Sequence, residues 1–399
     1  MFINKFINSI SSILIGLSIL SCCNSQTLSG DYSSVETITI DTENHRFVSL
    51  DNIVEKVDFV RLETTEDCII GDVSHLFFVD NKIIVADQLT SQSIFVFDIN
   101  GKFLNRISHL GNGPHEYLDI TDVDVTPSGL IVIKDNVKDV LLFFDTDGNF
   151  VKEREDIEGG MELAFIDEHS IAFDTFTSHA PTKEKFKGAS LAVCDGDNNI
   201  QYLFGENIAE ENVFNVRRPK CLYRYGNKTY FAPHWDKNIY EVTTDSIIAK
   251  YRIEFKPDDV LNYTFRTNQE FEDLIKKHPF FNGSFIEMKD YTLLKYSSNE
   301  ENSLCILYSH KDKKTYTIRN YYDNPLYAYL LKPNTLYKNN TIAEVRHAIH
   351  VFGNKHRIES TLGKTEFTNK LLNDLNMDDN PIIFLFTIKD DIGKYVIEE

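Results

Sequence analysis

Residues 111–117, Gly-Asn-Gly-Pro-His-Glu-Tyr, place an imidazole, a carboxylate and a phenol on three consecutive positions behind a glycine-rich turn. Such a loop can present His115, Glu116 and Tyr117 to a ligand. A second candidate is His234-Trp235-Asp236, which holds the chain's only Trp. An indole face can stack on the apolar C–H groups of a sugar while the neighbouring carboxylate accepts its hydroxyls. Both stretches also have plainer uses. Glycine supplies positive φ and proline a fixed φ, so residues 111–117 suit a connection between strands, and a single large aromatic suits a core. The glycines do not form a phosphate loop, because no Lys-Ser/Thr ending and no helical pattern follow them.

Other arrangements carry less chemistry. His347 and His350 would share a helix face at i, i+3, but the local pattern reads as strand and turn and no third ligand stands near. No metal and no cofactor are therefore expected. Asp258-Asp259, Glu300-Glu301, Asp378-Asp379 and Asp390-Asp391 are carboxylate pairs in turns or near the terminus. Glycoside hydrolysis needs two carboxylates at a fixed separation across a pocket, which adjacency in sequence does not supply. Gly-x-Ser-x-Gly, His-Glu-x-x-His and the sialidase-type Ser-x-Asp-x-Gly-x-Thr-Trp repeat are absent from the sequence.

The elements that would position these residues are short strands. Ile83–Ala86, Ile94–Phe97 and Phe103–Ile107 are apolar or alternating runs, and Asp98-Ile99-Asn100-Gly101 is a turn. The unit recurs. Ile131–Asp135 echoes Ile83–Asp87, and Leu141–Val151 echoes Ile94–Leu104. Asp145 lies 145 − 98 = 47 residues after Asp98, and Gly148 lies 148 − 101 = 47 after Gly101. A repeat of roughly 40–50 residues built from strands and turns is the mark of propeller blades, since one small sheet cannot cover both of its own faces. Weaker copies follow at 164–204, 222–255, 285–318 and 327–388, where Tyr327–Leu331, Thr341–Val345 and Ile382–Ile388 supply the strands of the last. Helices are expected within 258–278 and over Thr365–Leu375. Val57–Leu62 is expected to close the ring against Ile382–Ile388, which removes an open sheet edge. The fold class is all-β, a six-bladed β-propeller of four-stranded antiparallel blades with short helical insertions.

Composition limits the partners. The chain has 399 residues, 41 basic and 61 acidic, for a formal net charge of −20. A field of that sign repels phosphate backbones, so no nucleic-acid partner is expected. Aromatic content of 12% favours β structure. Lys5 is the only charge before Cys22, and Ile10–Leu20 is an apolar run too short to span a bilayer but suited to a signal peptide. Ile19-Leu20-Ser21-Cys22 has the form of a lipobox, which makes Cys22 the lipidated first residue of the mature chain. The expected organisation is a signal peptide at 1–21, the lipidated Cys and a flexible tether at 22–54, and the propeller at 55–399. Cys68, Cys194, Cys221 and Cys305 lie in or beside apolar runs and read as buried small hydrophobes.

The lipobox, Val60-Arg61-Leu62-Glu63-Thr64-Thr65, the segment from Phe97 to Tyr117 and Asp378-Asp379-Asn380-Pro381 together resemble the six-bladed β-propeller lipoproteins of Bacteroidetes, related in fold to NHL-repeat and TolB-like propellers. His115 departs from that pattern, which more often shows Gly there. The resemblance implies a fold and an address at the outer membrane, with no common activity. The expectation is a monomeric, lipid-anchored binding module whose partner is a glycan, a peptide or an envelope protein. The alternative is a propeller hydrolase or lyase with its site in the central channel.

Overall fold

A computed structural model describes residues 26–156, 160–175, 185–205, 220–233, 236–263, 267–297, 303–319, 323–327 and 335–397. Six sheets stand around a central axis. Blade one, from the axis outward, is His75–Val79, Lys82–Asp87, Ser93–Asp98 and Phe103–Ile107. Blade two is Asp122–Val125, Ile131–Asp135, Val140–Phe144 and Phe150–Glu155. Blade three runs from Leu163–Phe165 to Ile200–Phe204, blade four from Leu222–Tyr225 to Ile247–Lys256, and blade five from Phe280–Glu287 to Thr315–Ile318. Blade six combines Thr335–Lys338, Thr341–Arg346 and Ile382–Ile388 with Val54–Arg61, which pairs antiparallel to Ile382–Ile388 and closes the ring as the sequence predicts.

The continuous apolar runs follow from this arrangement. Successive side chains of a strand point to opposite faces, and here each face meets another blade. Ile83 and Val85 pack with Phe95, Phe97 and Ile383 in the seam between blades six and one. Ile84 and Ala86 pack with Ile94, Val123 and Ile133 in the seam between blades one and two. One apolar cluster fills each of the six seams. Burying each Ile, Val or Phe fully contributes about 1.5–3 kcal/mol, so the repeat has no stable partial form as a single blade.

In an antiparallel four-stranded blade, the first-to-second and third-to-fourth turns share one end, called here the turn end. The second-to-third loops and the blade-to-blade connections share the other, the loop end. The repeat is most regular at the turn end. Asp98 Oδ1 accepts from the backbone N–H of Asn100 and Lys102, each at 2.9 Å. Asp145 Oδ1 accepts from Asp147 (2.9 Å) and Asn149 (2.8 Å), and Asp195 Oδ1 from Asp197 and Asn199 (both 2.9 Å). Gly101 has φ +88°, and a Cβ there would lie 2.1 Å from the Arg61 carbonyl oxygen.

Three expectations are corrected. Residues 26–54 are not a free tether. Gln26–Leu28, Glu36–Asp41 and Phe47–Val48 each add a parallel outer strand, to blades three, four and five in turn. A short helix, Leu50–Ile53, leads into the closing strand. The alternation Glu36–Asp41 buries Ile38 and Ile40 against blade four, which a solvated segment would not do. The innermost strand of blade six is Thr335–Lys338, while Pro325–Tyr327 forms a 3-10 turn and 328–334 lie outside the described residues. Finally, His350 lies on a helix, Ala348–Gly353, followed by Lys355–Leu362 and Glu366–Leu372. These three helices pack Ala348, Val351, Ile358, Leu371 and Leu372 over the seam between blades five and six.

Candidate functional site

The residues that carry the family resemblance are joints of the ring. Tyr117 is fully buried, and its hydroxyl donates to the Gln92 carbonyl at 2.7 Å. Glu116 turns back on its own loop, accepting from the Gly113 N–H at 2.6 Å. A Cβ on Gly111 would lie 2.2 Å from the same carboxylate. Lys138 Nζ donates to the Glu116 carbonyl at 2.7 Å and so ties the loop to blade two. His115 is exposed, has φ +62° and stacks on Phe150 with ring centroids 3.7 Å apart. That left-handed φ explains why glycine suits the position. The loop therefore presents His115 alone; Glu116 and Tyr117 hold its shape. Asp378–Pro381 meets Val60–Thr65 in space. Arg61 pairs with Asp379 at 3.2 Å, and Asn380 donates to the carbonyls of Glu63 (2.7 Å) and Cys68 (2.8 Å).

Asp236 accepts from the Asn238 N–H (2.9 Å), the Asn238 side chain (2.7 Å) and the Tyr240 hydroxyl (2.8 Å), which makes it a turn residue. His234, Trp235 and Cys22 lie outside the described residues. His347 and His350 sit with ring centroids 6.3 Å apart. Among the described residues no group of three or more His, Cys, Asp or Glu is placed to hold a metal ion. Cys68, Cys194, Cys221 and Cys305 are buried free thiols.

The ionisable groups that do converge lie at the axis. The central channel has a volume of about 920 Å³ and is lined by the innermost strands of blades one, two, three, four and six. His75, Phe77, Asp124, Lys220, Tyr223 and Arg224 are among its walls. Asp122-Val123-Asp124-Val125 alternates, so Val123 and Val125 enter the seam with blade one while the two acids face the other way. Asp122 Oδ2 then accepts from the Leu163 N–H and Asp124 Oδ2 from the Phe165 N–H, both at 2.8 Å, stitching blade two to blade three. His75 Nε2 lies 3.0 Å from Asp122 Oδ1, and its ring stacks on Phe77. Arg224 reaches over from blade four to donate to the Val125 carbonyl, with its guanidinium 3.7 Å from Asp124.

At the loop end a repeated aspartate closes the second strand of the first three blades. Asp87 accepts from the Gly71 N–H (2.9 Å), Asp135 from Leu118 (2.7 Å), and Asp174 from Met161 (2.7 Å) and Glu162 (2.8 Å). Each fastens the incoming connection to its blade. Blade three adds Glu162 to this arrangement. Its Oε2 accepts from the N–H groups of Cys221 (2.9 Å) and Leu222 (3.0 Å), where blade four begins.

Burial pushes the Glu162 carboxyl up to about 7, and the charge of Asp174 adds to the rise while Lys220 opposes it. Burial likewise pushes Asp174 up to about 6, against its backbone hydrogen bonds and the charge of Lys134. Burial also acts on Asp122, but the His75 hydrogen bond and charge outweigh it and hold that carboxyl below its ordinary range. Nearby, Lys134 and Asp156 form a fully buried ion pair. A carboxyl near 7 exchanges its proton at neutral pH, which suits either proton transfer or exchange of the proton for an arriving cation. Sequence reading missed His75, Asp122, Glu162, Asp174 and Lys220. The visible signals were the Asp122–Val125 alternation and the Asp ending three consecutive second strands.

Six sheets around an open axis, closed by an N-terminal strand, define a six-bladed β-propeller. The chain belongs to the family described as a domain of unknown function, DUF4934, whose pattern matches residues 35–387. Among solved structures it is similar to a Bacteroides fragilis protein described as exported, at 18% identity and a TM-score of 0.72, over 89% of this chain and 100% of that one. It is also similar to a DUF4221 family member from Bacteroides vulgatus, at 12% identity and a TM-score of 0.51, over 87% and 99% of the two chains. At these identities the likeness is one of fold. No curated protein matches the sequence. Among the described residues no helix is long and apolar enough to cross a membrane.

Proposed function

We propose that this protein is a lipid-anchored β-propeller of the cell envelope, held at the outer membrane through Cys22, that binds a ligand in its central channel. The observation that carries the reading is the open channel of about 920 Å³ with ionisable and aromatic side chains on its walls. A structural ring with no ligand would gain more by filling that axis with apolar side chains. The short apolar segment ending at Cys22 and the likeness to a Bacteroides protein described as exported support the address. A glycan, a peptide or an envelope protein are the ligand classes. Membrane fractionation tests the anchor: Cys22→Ala should move the protein from the membrane to the soluble fraction, and continued sedimentation with membranes would refute lipidation.

A second reading, a hydrolase or lyase, is favoured by one observation: Glu162, pushed up to about 7, directly precedes Leu163, which lines the channel and donates its N–H to the Asp122 that pairs with His75. Glu162 would accept or donate the proton in such a reaction. Mass spectrometry of envelope glycans and peptides incubated with the protein separates the two readings. Turnover that disappears in Glu162→Gln supports the enzyme; binding without turnover supports the module.

A further inference from the structure

A second cavity, of about 370 Å³, lies off the axis in the seam between blades two and three, at the turn end. One wall is the outer strand of blade two, Phe150–Glu155. Lys152 and Arg154, two residues apart, point to the same face of that strand, while Glu153 between them turns the other way, toward His115. The other wall is made by two turns of blade three, which bring Glu168, Asp195 and Asp197 to the cleft. The two walls thus carry opposite charge. Glu168 also lines the central channel, so the cleft adjoins the turn-end mouth of that channel.

The charges face one another without closing. Lys152 Nζ rests over the Phe143 ring, 4.6 Å from its centroid. Arg154 Nη1 donates to the Gly196 carbonyl at 3.3 Å, and its Nε and Nη2 are buried without a hydrogen-bond partner. Among the described residues neither cation has a carboxylate at ion-pair distance, and the Asp197 carboxylate accepts no hydrogen bond. Glu168 accepts from the Ser128 hydroxyl through Oε2 at 2.7 Å and keeps Oε1 for another donor. Deeper in the same seam the charges do close: Lys134, over the Phe173 ring, forms its buried ion pair with Asp156. A largely buried guanidinium without a counter-ion is costly. A bare anion in the cleft would meet three carboxylates and a bare cation two bases, so a molecule carrying both signs is the complement of the two walls.

We propose that this cleft binds a small zwitterion, its anionic oxygens beside Lys152 and Arg154 and its primary ammonium beside Asp197 and Glu168. Two cations on one wall match a phosphate better than a single carboxylate, and a guanidinium suits the several acceptor oxygens of a phosphate. Phosphoethanolamine has that chemistry, free in solution or as a lipid headgroup, and the cavity has room for it. The site is distinct from the channel and does not depend on the reading of the channel as a ligand site.

Isothermal titration calorimetry of the full chain at neutral pH tests this, with O-phosphoethanolamine, inorganic phosphate and ethanolamine as probes. O-Phosphoethanolamine should bind about 10-fold more tightly than either of the others. Lys152→Gln and Arg154→Gln should each weaken it about 10-fold; Lys152 is exposed, so its variant tests the site even where Arg154→Gln loosens the seam. Asp197→Asn/Glu168→Gln should weaken O-phosphoethanolamine and strengthen inorganic phosphate, a crossing that a general loosening of the cleft cannot produce. Equal binding of O-phosphoethanolamine and phosphate would mark an adventitious ion only and overturn the inference. Binding that survives Lys152→Gln, or no binding of either the free probe or vesicles, also overturns it. Vesicles separate the two sources. Sedimentation with phosphatidylethanolamine–phosphatidylcholine vesicles but not with phosphatidylcholine alone, lost in Lys152→Gln, assigns the lipid headgroup. Binding of the free probe without sedimentation assigns a soluble molecule.

Discussion

The turn end and the loop end of this propeller use the same device to opposite effect. Asp145 and Asp195 at the turn end, and Asp174 at the loop end, all accept two backbone N–H groups. At the surface burial is the largest single influence and raises both carboxyls, but those bonds, with the side chains of Asn149 and Asn199, together outweigh it and hold Asp145 and Asp195 below their ordinary value. At the loop end burial wins, and Asp174 rises to about 6 with Glu162 beside it at about 7. The hydrogen bonds are equivalent; the dielectric surroundings are not. Position in the ring, more than residue type, separates a joint from a site.

The contrast can be broken by substitution. The turn end depends on backbone geometry, so Gly101→Val should have the largest effect. It places a β-branched side chain at φ +88° against the Arg61 carbonyl. The cost should be about 3 kcal/mol or more, combining strain with displacement of the closing strand. Urea denaturation measures it, and a loss below ~1 kcal/mol would mean that the closing strand yields freely.

The loop end should instead answer to pH. Glu162 and Asp174 have raised carboxyls in the folded state, so between about pH 4 and pH 7 the folded chain binds more protons than the unfolded one. Their contribution is complete below the unfolded value of about 4 and is lost as pH rises through about 6 and 7. Each group adds a downward slope of at most ~1.4 kcal/mol per pH unit. Glu162→Gln should flatten the fall in stability between pH 5 and pH 8; an unchanged slope would place the ionisation elsewhere. Asp145→Ala should have the smallest effect, a loss of about 1 kcal/mol at pH 7 from the freed turn N–H groups. Calorimetry showing the wild-type midpoint would remove Asp145 from the set of joints.

The ring was legible in sequence because its signals are local. Asp98-Ile99-Asn100-Gly101 and Asp145-Thr146-Asp147-Gly148 specify turns by side-chain chemistry, and the apolar runs between them have no other way to be buried on both faces. The outer strand Glu36–Asp41 was visible only as alternation. Its pairing with Ile247–Lys256 spans more than two hundred residues and leaves no local mark. Residues 348–362 form helices although His350, His356 and Glu359 interrupt the apolar face, because Val351 and Ile358 are drawn into the seam beneath. The site was illegible for a related reason. His75, Asp122, Glu162, Asp174 and Lys220 come one or two at a time from four blades or their connections, and none sits in a motif. The loop at 111–117 drew notice for its glycines, which serve Glu116 and the turn.

The parallel strand Gln26–Leu28 also fixes a direction. It runs alongside Ile200–Phe204 with Gln26 opposite Tyr202 and Leu28 opposite Phe204, so its first residue points toward the turn end of blade three. Under the proposed lipidation only the stretch from Cys22 to Gln26 separates fatty chain from folded sheet, a leash of at most ~14 Å. So short a leash lets the molecule pivot but not turn over. The aspartate turns would face the lipid headgroups, and the loop end would look outward, away from the bilayer that holds it.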